Sequence, residues 1–173
     1  MNLDEAVVVA LGSNQPFGAL QPREVLEAAL ARFPAFGMEV VKRSSWWRSA
    51  AWPDAREPEF LNGVALVDTT IGARDVMAAL LLIEAEFGRR RGEPNAPRTL
   101  DLDLIAHGRT VLHEPGLELP HSRSADRYFV MAPLTEIAPG WRHPLTGDRA
   151  DTLKDAAAVG RDAFPNPERE RSA

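Results

Sequence analysis

The order of apolar patterns along these 173 residues predicts an α+β fold, with an antiparallel sheet carrying two helices on one face. Three observations predict it. Valine- and leucine-rich runs at 6–11, 38–47, 60–68 and 100–106 have strand length. Two longer stretches, 22–33 and 73–87, repeat their apolar residues at helical spacing. These two stretches follow the first and the third run, giving the order strand, helix, strand, strand, helix, strand.

The first strand is valine-rich and ends where Gly12, Ser13, Asn14, Pro16 and Gly18 break the pattern into a loop. Pro22 suits the first helical position, and Val25, Leu26, Ala29, Leu30 and Phe33 form one helical face before Pro34 and Gly37 end it. Between the second and third strands, 48–59 is long for a hairpin connection. In the second helix Val76, Leu80, Ile83 and Phe87 share a face, and Gly88 stands where a left-handed C-terminal cap is expected. Leu100, Leu102 and Leu104 then alternate with Asp101 and Asp103, and His107-Gly108-Arg109 turns towards a fifth strand at 110–112 beside the fourth. That order is the one of a ferredoxin-like βαββαβ unit. C-terminal additions follow, with short helices predicted at 125–130 and 152–159. A single domain is expected over 1–165, with a polar tail at 166–173.

Composition narrows the function classes. A net charge of -5 argues against nucleic acid as a main partner. With no cysteine there is neither a disulfide framework, nor a thiolate metal site, nor a cysteine nucleophile. The longest apolar run, 76–83, is far too short for a bilayer, and the N-terminus is acidic, so the expectation is a soluble protein of the cytoplasm with no export signal and no membrane partner.

Asp101 and Asp103 lie on one face of a strand, with Cα atoms roughly 6.5–7 Å apart, a spacing that a hard divalent cation can bridge. By pattern alone, an acidic strand face in water is the better reading. The preceding segment, 88–97, holds Arg89, Arg90 and Arg91 with two glycines and two prolines, and Arg98 follows it. Guanidinium forks match phosphate oxygens, so such a loop can fold over a metal-bound triphosphate; the plainer alternative is that these arginines favour the negative end of the second helix. His121 and Arg127 form a third polar cluster, in which a lone histidine is more often structural. Among the aromatics Trp46, Trp47, Trp52, Phe60 and Phe129, core filling is the default and sandwiching a flat heterocycle the alternative. Trp46 and Trp47 are consecutive on a strand and face opposite ways, and Asn62 shares a strand face with Phe60.

In this order, Leu11-Gly12-Ser13-Asn14, Phe60-Leu61-Asn62, Glu84, Gly88-Arg89, Pro97-Arg98-Thr99-Leu100-Asp101-Leu102-Asp103, and Pro120-His121 through Arg127 and Phe129 resemble the 6-hydroxymethyl-7,8-dihydropterin pyrophosphokinases of folate biosynthesis. The resemblance runs from about Val7 to Pro144, and the stretch from Pro97 to Asp103 is its most specific part.

The resemblance implies an enzyme that moves the pyrophosphoryl group of ATP to the pterin hydroxymethyl group, releasing AMP. It implies two magnesium ions on Asp101 and Asp103, and ATP-phosphate contacts from Arg89, Arg91, Arg98, His121 and Arg127. Arg89 and Arg98 would join the two aspartates as catalytic residues, with Glu84 supporting them from the helix end. The pterin would stack between Phe60 and Phe129, read by Asn62 and by Ser49, Ala50 and Trp52, close to Asp101. If one group takes the hydroxyl proton, Asp103 is the candidate. A monomer is expected. Ser49-Ala50-Ala51 departs from the Thr-Pro-Pro of many relatives, Asn95 from a tryptophan and Ser122 from a tyrosine.

Other readings predict other features. Glycosyltransferases with Asp-x-Asp and glycosidases with paired carboxylates leave the arginine segment unexplained. An RNA-binding module on the same fold requires surface aromatics and a basic face. A regulatory module would bind a ligand without consuming ATP, so nucleotide turnover separates it from a kinase.

Overall fold

The computed structural model describes residues 1–51, 54–92 and 98–166. Its main sheet is built from β1 (Val7–Ser13), β2 (Glu39–Arg43), β3 (Trp47–Ser49), β4 (Phe60–Asp68) and β5 (Asp101–His107). The order is β5-β1-β4-β3, with β2 also on β4, and every pairing is antiparallel. Helices α1 (Pro22–Arg32) and α2 (Ala73–Glu86) pack on one face, where Leu26, Leu30, Leu80 and Ile83 meet Val7, Val9, Leu11, Leu102 and Leu104. This is the predicted α+β core, and Gly88 adopts the expected left-handed conformation after α2 (φ 81°).

Three parts differ from expectation. The single strand predicted at 38–47 is divided into β2 and β3 at 44–46, where Ser44 bonds Val64 through both its amide and its hydroxyl. The Ser44 hydroxyl there accepts from the Val64 amide (2.9 Å), and buried Trp46 packs so closely on Gly63 that a Cβ at 63 would collide with the indole. The strand after β5 does not join it: β6 (Leu112–Glu114) pairs with β7 (Leu117–Leu119) in a separate hairpin. The short helix predicted at 125–130 is instead α3 (Tyr128–Ile137), which contains Pro133.

Helix α3 covers the second face of the sheet. Val130, Met131 and Leu134 pack there on Ala6, Val8, Ala10, Val64 and Leu66, with Trp141 closing the cluster. The β1 run is thus apolar without alternation because both its faces are buried. Helix α4 (Ala150–Ala156) ends before the predicted boundary at 159, and β8 (Phe164–Pro165) extends the sheet beside β3. Asn166, assigned to the tail by its polarity, donates its amide to the Trp46 carbonyl at 2.9 Å. Residues 167–173 lie outside the described residues. Among the described residues no helix is long and apolar enough to cross a membrane.

Candidate active site

Across the sheet, Trp47 pairs with Asn62, Asn62 with Gly12 and Gly12 with Asp101, so these four point to one side. It is the side α3 covers, but α3 packs lower down, against Ala6, Val8 and Ala10. Above it lies a cleft with Ala10 and Gly12 in its floor, Asp101 and Asp103 on one wall, Ser49, Ala50, Phe60 and Asn62 on the other, and Arg98, Arg127 and Phe129 around it. Small residues on the central strand keep the floor low.

Asp101 is held by two arginines: Arg98 Nη2 lies 2.6 Å from Oδ2 and Arg89 Nη2 lies 3.2 Å from Oδ1. Asp103 makes no hydrogen bond or ion pair with a described residue, yet its charge favours the protonated forms of Arg91, His121 and Arg127. Nε of Arg89 and Nε of Arg98 are buried and have no hydrogen-bond partner among the described residues, so both guanidinium groups retain donor capacity within the cluster. The Arg98 guanidinium also lies 5.1 Å from the centre of the Phe60 ring, and that of Arg127 lies 5.9 Å from Phe129.

Glu84 stands behind this wall, on α2. Its buried carboxylate accepts from the Leu102 amide at 2.7 Å and takes both Nε and Nη2 of Arg91 at 2.8 Å. The hydrogen bond to Glu84, ahead of a smaller opposing effect of burial, raises the Arg91 guanidinium above its ordinary value. Because β5 is an edge strand, Glu84 satisfies a backbone donor that no neighbouring strand reaches. Further up the strand entry, Ser13 Oγ donates to the Thr99 carbonyl (2.7 Å), and Thr99 Oγ1 donates to that of Phe87 (2.6 Å). The start of β5 is thereby tied to both β1 and the end of α2.

His121 is fixed by its own amide, which donates to the Ile105 carbonyl at 2.8 Å. Its Nδ1 accepts from the Arg123 amide (3.2 Å), which leaves Nε2 as the donor of the neutral ring. Burial pushes this imidazole below its ordinary value, with Asp103 pulling the other way and Arg127 reinforcing the burial. Burial also lowers Arg127.

Of the residues singled out in the sequence, Ser49, Ala50, Phe60, Asn62, Arg98, Asp101, Asp103, Arg127 and Phe129 meet in one cleft. Arg89 reaches it through Asp101, whereas Arg91 is turned to Glu84. Trp52 and Asn95 lie outside the described residues. Trp46 fills the core, while Trp47 packs edge-on to Tyr128 and donates to Glu136. Sequence reasoning did not single out Ser124, a buried residue of the cleft wall whose hydroxyl donates to the His121 carbonyl (3.0 Å), and one serine in an irregular segment gives no signal. Gly63 in the floor could have been found, since glycine inside a strand marks a close approach.

The family model for 7,8-dihydro-6-hydroxymethylpterin-pyrophosphokinase (HPPK) matches residues 8–139. The chain belongs to the HPPK family. Among HPPK relatives, the 2-amino-4-hydroxy-6-hydroxymethyldihydropteridine pyrophosphokinase of Pseudomonas aeruginosa is 40% identical over 141 residues, 81% of this chain and 85% of that one. Its Synechocystis namesake is also 40% identical over 141 residues, spanning 81% of this chain and 70% of the relative. A Plasmodium falciparum HPPK-DHPS structure superposes with a TM-score of 0.68 at 12% identity, over 87% of this chain and 45% of the other, and supports the fold alone. The chain thus spans less than half of that solved protein.

Proposed function

We propose that this chain transfers the pyrophosphoryl group of ATP to 6-hydroxymethyl-7,8-dihydropterin in folate biosynthesis, as the names of its HPPK relatives describe. One observation carries the assignment of the site: Asp101, bound by Arg89 and Arg98, stands beside Asp103 in a cleft that also holds Phe60 and Phe129. Carboxylates, polyphosphate-matching guanidinium groups and aromatic rings are the three chemistries that the two substrates require. The hydroxymethyl oxygen attacks the β-phosphorus, the bond from that phosphorus to the α,β-bridging oxygen breaks, and AMP leaves. Arg89, Arg98 and Arg127 would receive the phosphate oxygens, and neutral His121 would donate from Nε2. Arg91 would join them on exchanging Glu84 for phosphate. Phe60 and Phe129 would enclose the pterin, and Asn62, Ser49 and Ala50 would read its edge. Positioning and charge neutralisation account for most of the catalysis in such a transfer.

The donor set fits magnesium. Asp101 and Asp103 are hard oxygen ligands on one strand face, and no group of three or more metal-binding side chains occurs among the described residues. A site of one or two carboxylates completed by substrate phosphates is magnesium's usual arrangement. When bound, two such ions would neutralise the phosphates and polarise the phosphorus under attack. We read the enzyme as a monomeric, cytoplasmic single domain over 1–165. The deciding experiment mixes the chain with ATP, magnesium and 6-hydroxymethyl-7,8-dihydropterin and separates the nucleotide products. AMP with a pterin diphosphate is expected, whereas ADP would overturn the pyrophosphoryl reading and unchanged ATP would overturn the substrate assignment.

A further inference from the structure

Residues 157–166 come after the last position matched by the HPPK family model, 139, yet they contact Ala50 and Phe129, two residues of the cleft lining. At one end, the Ala158 amide donates to Asp126 Oδ1 (3.0 Å), the Val159 amide to the Asp126 carbonyl (3.0 Å), and the Tyr128 amide to the Val159 carbonyl (2.8 Å). These bonds seat the segment on the turn that starts α3. Next, Gly160 has φ 75°, and a Cβ there would collide with the Phe129 ring, so the backbone itself backs that ring. At the other end β8 pairs with β3, and the Asn166 amide reaches the Trp46 carbonyl.

Between these anchors, Asp162 Oδ2 accepts the Ala50 amide at 2.7 Å. Ala50 follows Ser49, whose hydroxyl accepts from Asn62 Nδ2 at 2.8 Å in a buried bond. A connected path thus runs from Asp162 through the backbone at 49–50 to the Asn62 amide in the cleft. The bond needs an N–H at position 50, which a proline would not supply. A charged acceptor makes it stronger than a neutral one.

We propose that residues 157–166 brace the heterocycle side of the cleft, with Asp162 as a positioning residue that sets Ser49, Ala50 and Asn62 for a flat, hydrogen-bonding ring. The inference rests on the pyrophosphokinase reading for the identity of that ring. Pterin and nucleotide binding to the full chain are measured separately by titration calorimetry, using 6-hydroxymethylpterin and a non-hydrolysable ATP analogue with magnesium. Asp162→Ala is expected to weaken pterin binding about five- to ten-fold while nucleotide binding stays within about two-fold, in keeping with the loss of one charge-assisted hydrogen bond. Asp162→Asn retains a carbonyl acceptor and is expected to restore most of the affinity. Wild-type pterin affinity in Asp162→Ala, or an equal loss for both ligands, would overturn the brace while leaving the pyrophosphokinase reading in place. A wild-type chain that binds the nucleotide but no pterin would overturn that reading, and the brace with it.

Discussion

Asp101 and Asp103 share a strand face but differ in their surroundings, and the difference predicts how substitutions separate. Asp101 neutralises Arg89 and Arg98, so replacing it leaves two guanidinium groups close together without their counter-charge. Asp103 has no such partner among the described residues, so Asp103→Asn is expected to change stability by no more than about 0.5 kcal/mol. In both Asp101→Asn and Asp103→Asn, turnover is expected to fall at least about 100-fold, the scale on which lost charge stabilisation acts in transferase and hydrolase sites. AMP release and thermal melting, measured on each variant, check the two halves together. Near-normal turnover in either would remove that carboxylate from the proposed metal site. A melting temperature lowered more by Asp103→Asn than by Asp101→Asn would contradict the ion-pair account.

At the scale of elements, the edge strand β5 carries the acidic pair and α2 holds that strand in place through Glu84. Glu84→Ala orphans the Leu102 amide and releases Arg91, and the buried amide alone should cost about 1–3 kcal/mol, read by urea denaturation. Glu84→Gln, which keeps an acceptor for Leu102, should recover part of the loss; equal destabilisation by both would assign the effect to the Arg91 pair instead. Much of this layer was legible in the sequence: alternation of Leu100, Leu102 and Leu104 with the aspartates located β5, and Gly88 located the end of α2. The role of Glu84 came from the family resemblance, because a glutamate on a helix looks like a solvated residue until its burial is known. The helix predicted at 125–130 runs instead from Tyr128 to Ile137, with Pro133 accommodated inside it. β6 and β7 were missed as a pair because three-residue strands have too little pattern to show alternation. Asp162 gave no sequence signal at all, since its partner is a backbone amide 112 positions away.

At the scale of the whole molecule, a single sheet separates two apolar clusters. One holds Trp46, Leu80 and Ile83 on the α1–α2 side, and the other holds Met131, Leu134 and Trp141 on the α3 side. The strands β1 and β4 contribute to both, Val7 and Val9 to the first, Val8 and Ala10 to the second, and likewise Ala65 and Val67 against Val64 and Leu66. Removing α3 would therefore expose alternate residues of the two central strands, and melting α1 and α2 would expose the rest. Neither cluster can be lost while the other keeps the sheet dry on both faces, so the two layers should unfold as one cooperative unit. Native-state hydrogen exchange across a urea series tests this directly. The slowest amides of α2 and of α3 are expected to converge on one opening free energy, within the roughly 5–15 kcal/mol usual for domains, and on one urea dependence. If α3 amides opened at a lower free energy with a shallower urea slope, the α3 layer would be a separate unit, and the cleft at its upper end could lose Arg127 and Phe129 while Asp101 and Asp103 stayed in place.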